Sequence, residues 1–575
     1  MLSTTKVVPF TDTVSAALVF LEGIGSARAL SVHMLAQNLL LDNYRPDEFA
    51  TQYKQLGFRV NHYDQFTVEE FRLDYCASVL FSKLPSADVA DTTLSSRAIA
   101  DFQVAEERNL KLNRLWFNGI SVFNQLDKLG VSIETIRSTI SSILGRAPSL
   151  STVLDKGYWT SGASVSVPRR LSGGAMKSES GTSVTYPLAH AIDGLLKEGY
   201  SLNPLITRRD SWVLVPGNLV DTVSKNIEID RTIAKEPDIN AFVQRSIGDS
   251  IRKRLKRHGI DLNDQQLNQR ACLRAIREKS ATLDLKGASN SVLLGAVYQS
   301  FPSDWFSLIE LSRSPYGSLD TRSEVRSRTA QWFEYSMLSS MGNGFTFELE
   351  SLLFYAICLS CGCNAYETYI YGDDIIIPQD KVSLVKSVLT IFGFELNDQK
   401  SFISGAFFES CGVYSFHGVD VTPIKIKDLF HGPKSVIVFS NKIRMFAFSN
   451  RNSCGCDRRF LRSWQDCLRR LPTHIRMNCR GPVGSGLVIY SNRNEMPKAR
   501  YSKKRGALLT HQLVQKIKDQ QADFAGLFYW KLYLLDSTKH DPDRSLIYGN
   551  IIKSTGTDIW AMKPLYIEGD SWCDL

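Results

Sequence analysis

The run Tyr369-Ile370-Tyr371-Gly372-Asp373-Asp374-Ile375-Ile376-Ile377-Pro378 constrains this chain more than any other stretch. Its flanks are aromatic and β-branched, which favours extended backbone, and the central glycine admits the positive φ of a tight turn. The spacing predicts two short strands with two neighbouring carboxylates at their tip. Gly-Asp is also ordinary turn chemistry, so a plain hairpin is one reading. The other starts from energetics. Adjacent acids repel and lose hydration on packing unless something positive lies beside them, and half of a divalent-metal site would supply it.

At 575 residues the chain is too long for one simple core, and roughly two to four subdomains are expected. Its 43% hydrophobic and 22% charged residues exclude a disordered or fibrous class. Lys and Arg outnumber Asp and Glu by 68 to 59, a net +9 with a pI near 8.9, which suits a polyanionic partner. No apolar run approaches the ~20 residues that span a bilayer, so no membrane partner is expected. The start, Met1-Leu2-Ser3-Thr4-Thr5-Lys6, lacks the pattern of a secretion signal. Eleven cysteines without such a signal point to reduced thiols in a cytosol. Neither Cys358/Cys361/Cys363 nor Cys454/Cys456 has the second spaced pair of a zinc site. They read as buried small residues or surface thiols.

Residues 1–150 read as mainly helical, with apolar positions at helical spacing from Ala16 to Leu41 and from Phe71 to Leu84. Ser95 to Leu115 adds a mixed-charge helix with a solvated face, and scaffold or partner contact is the expectation for the region. From Lys156 to Ser183 Gly, Ser, Thr and basic residues dominate, Pro168-Arg169-Arg170 among them. That stretch reads either as a flexible loop or as one that tracks a nucleic-acid backbone, with Tyr158 and Trp159 as stacking rings. Lys225, Arg231 and Lys235 lie within eleven residues. Ser250 to Gly259, which holds Arg252, Lys253 and Arg254, reads as a glycine-ended helix with its basic face toward phosphate.

Ala281 to Leu285 is a short apolar strand interrupted by Asp284, a carboxylate that is expensive to bury unless paired or metal-bound. Ser339 to Thr346 is a Gly-rich turn, where backbone can approach a ligand closely, and it leads into an apolar helix from Phe347 to Leu359. After the hairpin come a helix from Lys381 to Phe392, then Lys400, then strand-like residues from Ser410 to Ile426 with Pro423 near an edge. Beyond about residue 430 the chain reads as helical, then irregular.

This order (a basic segment, a strand aspartate, a Gly-rich turn before a helix, a Gly-Asp-Asp hairpin, a lysine) resembles the successive motifs of viral RNA-dependent RNA polymerases. It is most similar to the replicase β subunits of the positive-strand RNA bacteriophages, the group containing Q-beta and MS2. The likeness is carried by Gly259 to Gln265 (GIDLNDQ), Met341 to Ser351 (MGNGFTFELES) and Tyr371 to Ile376 (YGDDII). Glu409-Ser410-Cys411-Gly412 and Gly418 to Pro423 add to it. It is strong over about 215–427, weaker in the N-terminal third and poor beyond 430. It implies an α+β right-hand polymerase of fingers, palm and thumb, with an antiparallel palm sheet and a largely helical N-terminal region. The implied division is a helical, partner-facing region at 1–150, fingers at 151–280, palm at 281–427, and thumb and C-terminal region at 428–575.

Such an enzyme copies an RNA template by adding nucleoside triphosphates to a 3′ end with release of pyrophosphate. Two divalent ions about 3.5–4 Å apart stabilise the attacking and leaving oxygens, and carboxylates suit Mg2+, with Mn2+ as a substitute. The resemblance implies Asp284 and Asp373 as bridging ligands, with Asp374 assisting. Lys225, Arg231 and Lys235 fall where the family holds the triphosphate, and Lys400 where related enzymes place a proton donor for pyrophosphate. Gly342, Asn343 and Thr346 would contact template and ribose. Arg169, Arg170, Arg252, Lys253 and Arg254 are candidate RNA contacts. The resemblance also implies host elongation factors Tu and Ts and ribosomal protein S1 as partners, in the cytoplasm of an infected bacterium.

Four places depart from the pattern. The family's second acid, six residues after the first, is here Asn290, and Lys286-Gly287 stands where relatives have small residues. Glu228 puts an acid where relatives often have Lys. Glu350 stands where animal-virus polymerases carry Asn, on the same helix face as Thr346. An exchange of acid and amide between Asn290 and Glu350 would preserve one donor–acceptor pair at the ribose 2′-OH. Two further readings stand beside polymerisation of RNA: a non-catalytic RNA-binding protein on a polymerase-derived fold, and a reverse transcriptase, whose usual aromatic gate is missing here.

Overall fold

The computed structural model describes residues 4–41, 46–58, 60–63, 65–85, 92–160, 162–169, 172, 177, 181–203, 206–207, 212–226, 229–320, 330–448, 456–496, 498–516 and 559–567. Arg170, Glu228 and Cys454 lie outside them.

The N-terminal region folds as the apolar spacing predicts, into α1 (Thr4–Ile24), α2 (Ala27–Leu41), α3 (Pro46–Leu56), α4 (Val68–Val79), α5 (Thr92–Asn118), α6 (Ile120–Lys128), α7 (Ile133–Leu144) and α8 (Leu150–Lys156). Local chemistry sets several starts. Thr67 and Glu70 form a reciprocal capping box on α4, and Ser132 and Ser149 cap α7 and α8. These helices divide between two cores. The first four pack with residues 424–513, where Phe20 meets Phe446 and Phe460 at ring distances of 5.6 and 5.3 Å. Trp116, α7 and α8 instead join the large central core.

The middle of the chain supplies β1 (Thr182–Thr185), α9 (Tyr186–Lys197), β2 (Trp212–Val215), β3 (Gly217–Ser224), β4 (Asp230–Lys235), α10 (Asp238–Arg257) and α11 (Gln266–Glu278). Helix α10 starts well before Ser250, and Gly259, at φ +89°, follows its end. Next come β5 (Ser280–Leu283), α12 (Leu294–Ser300), α13 (Ser303–Ser312), β6 (Tyr316–Ser318), β7 (Phe333–Glu334), α14 (Thr346–Ser360), β8 (Tyr369–Tyr371), β9 (Asp374–Pro378) and α15 (Val382–Ile391). One sheet runs β4-β3-β6-β7, and a second, antiparallel, runs β5-β9-β8.

The second sheet shows strand alternation at work. Ile375 and Ile377 enter the central core, whereas Ile376 turns to Ala271, Cys272 and Ala275 of α11 and to Phe408. Helix α14 is buried almost all round within the central core, which is why its apolar residues show no single face. The free edge of β5 is bridged at Thr282–Phe402 and Leu285–Leu396, so the segment after α15 is bound to the sheet.

Past this point the structure departs from the expected pattern. Strands β10 (Phe407–Ser410), β11 (Val413–Phe416) and β12 (Val419–Asp420) form a meander that ends before Pro423, rather than running to Ile426. After α16 (Pro433–Phe448), α17 (Leu461–Arg469) and α18 (Thr473–Asn478), the expected irregular tail instead holds β13 (Arg480–Gly481), β14 (Ile489–Tyr490), β15 (Arg500–Ser502), β16 (Ala507–Lys516) and β17 (Ile559–Ile567). β16 pairs with β17 from Leu508↔Ile567 to Lys516↔Ile559. A partner so distant in sequence leaves no local signature. Among the described residues no helix is long and apolar enough to cross a membrane.

Candidate active site

The hairpin forms as read. Tyr371 pairs with Asp374 across the two-residue turn Gly372-Asp373, with Gly372 at φ +60°. A Cβ on Gly372 would lie 2.4 Å from Phe347 of α14, so glycine is required by space as well as by φ. Ser351 Oγ accepts the Gly372 N–H at 3.0 Å and fixes the turn on the buried helix. Since Leu283 pairs with Ile375, the next residue of that strand, Asp284, comes opposite Asp374. Three acids are thus gathered at one end of one sheet.

Each acid is held by its surroundings. Asn397 Nδ2 donates to Asp284 Oδ2 at 2.8 Å, and Lys400 Nζ lies 3.8 Å from the same oxygen. Asp374 accepts from Cys411 N at 3.1 Å and Ser410 Oγ at 3.3 Å. Burial, then Asp284, pushes the Asp373 carboxyl up. Asp374 is pushed up to about 6, chiefly by burial, which the Cys411 N–H relieves in part and to which Asp373 and then Asp284 add repulsion. Among the described residues no three His, Cys, Asp or Glu side chains are gathered tightly enough to be a metal cluster as they stand. The donor chemistry nevertheless fits a hard divalent cation: oxygen ligands whose buried charges repel one another until a cation joins them.

Facing the acids is a group of cations. Lys225 follows β3, Arg231 lies on β4, and Lys400 sits in the segment bridged to β5. Burial, then Arg231, Lys83 and Lys400, pushes the Lys225 amine down to about 8, with Asp284 acting in the opposite sense. Lys83, in the turn after α4, belongs to the same group: burial, then Lys400 and Arg231, lowers it. The sequence reading missed Lys83, and no motif around it offered a signal. The cationic wall continues into a cavity of ≈ 1160 Å³ lined by Lys83, Lys425, Lys427, Lys442, Tyr414 and Tyr490.

Other residues read from the sequence are placed differently. Lys235 turns to Asp221 on β3. Arg252 is committed to buried Glu348, to Leu262 O and to Asn263. Arg254 donates to Leu144 O, Ser250 O and Arg146 O and lies over the Trp305 ring. Of that triplet Lys253 is exposed, as is Arg169. Trp159 is 4% exposed and packs on Phe242 at 4.9 Å, so it is a core ring and no stacking platform. Cys358, Cys361 and Cys363 are buried free thiols.

Glu350 lies beside the hairpin. Burial, then Asp373, pushes its carboxyl up to about 8. Its hydrogen-bond donor is Ser289 Oγ, at 3.1 Å, rather than Asn290. The Asn290 carbonyl is held by Asn109 Nδ2 of α5 at 2.8 Å, and Gly287 at φ +55° starts this tight turn, with Lys286 paired to Glu395. Thr346 Oγ1 shares a hydrogen bond with Ser339 Oγ at 2.7 Å, one turn before Glu350. Gly342 and Asn343 lie in the turn that opens α14.

Comparison with known proteins reaches further along the chain than the motifs did. The model of the family "RNA replicase, beta-chain" matches residues 33–539. The RNA-directed RNA polymerase beta chain of Enterobacteria phage fr is 41% identical over 266 residues, 46% of this chain and 47% of that one. That of Escherichia phage MS2 is 43% identical over 235 residues, 40% of this chain and 42% of that one. The chain thus spans less than half the length of these two relatives. Against the beta subunit of Qbeta virus strain MX1 it is 31% identical over 489 residues, 83% of this chain and 79% of that one. With the family model covering most of its length, the chain belongs to the RNA replicase beta-chain family.

Proposed function

We propose that the chain copies RNA into RNA, joining nucleoside triphosphates to a 3′ end as the polymerising subunit of a phage replicase. The observation that carries the reading is the meeting of Asp284, Asp373 and Asp374 with the opposing cations Lys225, Arg231, Lys400 and Lys83. Acids that need a cation, facing cations that need an anion, match a metal-bound triphosphate. The architecture proposed is the right hand, with a helical region at 1–150, fingers at 151–280, palm at 281–427 and thumb at 428–575.

Asp284, Asp373 and Asp374 would hold two Mg2+, with Mn2+ as a substitute. Bound there, such ions supply Lewis-acid stabilisation of the attacking and leaving oxygens. The chain's own residues do the rest. Lys225 and Arg231 grip the phosphates, with Lys235 as an outlying member. The 3′-hydroxyl gives its proton to solvent as its oxygen bonds to the α-phosphorus, and the bond from that phosphorus to the α,β-bridging oxygen breaks, the oxygen leaving with pyrophosphate. Lys400, half-exposed and 3.8 Å from Asp284, gives pyrophosphate a proton. Glu350, braced by Ser289, reads the ribose 2′-OH, and the turn of Gly342 and Asn343 contacts the template base pair and ribose. Phosphates of the bound strand run along the lysine- and tyrosine-lined cavity, where amines and rings suit backbone and bases. Arg169, Arg170 and Lys253 are further RNA contacts. Elongation factors Tu and Ts and ribosomal protein S1 are the proposed partners, in the cytoplasm of the host.

Primer extension on an RNA template with Mg2+ tests the reading, with Asp373→Asn as control. RNA products from the wild-type chain, and a loss of about a thousandfold or more in the variant, are expected. DNA products alone would favour a reverse transcriptase. RNA binding without extension would favour a non-catalytic relative and sink the proposal.

A further inference from the structure

The Gly-rich turn is held by two elements at once. From β4, Ala234 N donates to Met341 O at 2.7 Å, and a Cβ on Gly342 would fall 2.2 Å from Ala234 O. From α10, Gln244 Oε1 accepts the Gly344 N–H at 3.1 Å. The amide of Gln244 has one possible orientation. Its Nε2 donates to Glu236 Oε2 at 2.9 Å and to Ser312 O at 3.0 Å, both acceptors, so only Oε1 is left for Gly344. Glu236, 3% exposed, also accepts from Asn218 Nδ2 at 2.8 Å and Ser314 Oγ at 2.7 Å. Asn218 is oriented in turn, since Tyr335 OH donates to its Oδ1 at 2.7 Å while its Nδ2 also reaches Ser340 Oγ at 3.4 Å. Glu236 directly follows β4, the strand of Arg231.

One polar atom inside this turn is left over. Asn343 Nδ2 is buried without a hydrogen-bond partner among the described residues, while its Oδ1 accepts the Phe345 N–H at 3.0 Å. A buried, oriented donor with no acceptor is costly, and nearly all such groups find partners. Here the missing acceptor fits an atom of the bound nucleotide or template.

We propose that Glu236, Gln244 and Asn218 are positioning residues, a latch that ties the Gly-rich turn to the strand of Arg231. The turn's contacts to base and ribose and the strand's contact to the triphosphate are thereby set as one rigid unit. The inference rests on the nucleotide-binding reading above. It assigns the latch no contact with substrate: Gln244 acts through Gly344 and Asn343, and Glu236 acts by orienting Gln244 and Asn218.

The test uses the full chain with its co-purifying host proteins. Gln244→Met keeps length and volume and removes both hydrogen-bonding functions. The expected result is a rise in nucleotide KM of about tenfold, the scale of a lost buried hydrogen bond, with kcat within about twofold. Gln244→Glu keeps the acceptor for Gly344 but sets a carboxylate against Glu236 and Ser312 O. The ratio of its KM to that of wild type at the same pH is expected to fall toward one as pH is lowered from 8 to 6, because the protonated carboxyl donates where the amide did. A residue that only stabilised the fold would lower kcat and Tm together and show no such pH recovery. Wild-type extension with an unchanged KM in Gln244→Met, or no pH recovery in Gln244→Glu, overturns the latch alone. A wild-type chain that neither extends primers nor binds nucleotide overturns the functional reading and the latch with it.

Discussion

The acidic and basic walls of the site are built by different means. All three acids stand on one three-stranded sheet, brought together by the pairing of β5 with β9, and backbone hydrogen bonds set their register. The cations come from three distant segments: Lys83 after an N-terminal helix, Lys225 and Arg231 from the β3–β4 hairpin, and Lys400 after α15. Tertiary packing alone assembles them. Yet each wall is charged against itself in the same manner, acids pushed up and amines pushed down by burial and by like neighbours. On the proposed reading, a metal on one side and a polyphosphate on the other would relieve both at once, with Lys400, 3.8 Å from Asp284, at the seam between the walls.

If the walls are separate, pH should pull them apart. Asp374 is pushed up to about 6, so it is ionised at pH 7 and takes up a proton as pH falls through 6. Protons then compete with metal, and the Mg2+ concentration for half-maximal extension should rise by about tenfold per pH unit below 6. Lys225, pushed down to about 8, is charged at pH 7 and loses its proton as pH rises through 8. The alkaline limb should therefore appear in nucleotide KM and leave the Mg2+ requirement flat. Mg2+ and nucleotide titrations from pH 5 to 9 decide the matter. An acid limb in nucleotide KM, with a constant Mg2+ requirement, would mean that the walls act as one.

A smaller effect sharpens the comparison within the basic wall. Lys225→Ala should raise nucleotide KM by about tenfold and Lys83→Ala by about threefold, with both effects shrinking in high salt. Equal kinetics for Lys83→Ala and wild type at low salt would remove Lys83 from the wall.

The same contrast explains what the sequence could tell. The hairpin and Asp284 were legible because strand alternation, a turn glycine and an isolated acid each leave a local trace. The helix after the Gly-rich turn and the helical N-terminus were legible for the same reason. Lys83 was not, since its role exists only once the turn after α4 meets the β3–β4 hairpin, where Asn226 Nδ2 donates to Ser82 O. Arg252 and Arg254 looked like a phosphate-facing run because charge on a helix face says nothing about which guanidinium finds Glu348 or a carbonyl. Trp159 failed likewise, its ring claimed by Phe242. The β16–β17 pair escaped because its two strands are separated by more than forty residues of intervening chain.

The finest distinction lies between Ser289 and Asn290, neighbours of which sequence favoured the second. An acid–amide exchange with Glu350 requires the Asn290 side chain to meet that carboxylate. In the structure the Ser289 hydroxyl does so, at 3.1 Å, and the Asn290 backbone is tied instead to Asn109 of α5. One buried hydrogen bond to a carboxyl contributes about 1–2 kcal/mol. Ser289→Ala should then weaken the preference for ribose over deoxyribose nucleotides by roughly five- to tenfold, through the freedom it gives Glu350. Asn290→Asp should change it by less than about twofold, since Asn290 acts through its carbonyl, which any residue supplies. Competition between ribo- and deoxyribonucleotides on one template measures both. The reverse order would return the sugar-sensing pair to Asn290 and Glu350. It would also mean that the turn at Gly287 rearranges when nucleotide enters, bringing the amide round to the carboxyl that the serine now holds.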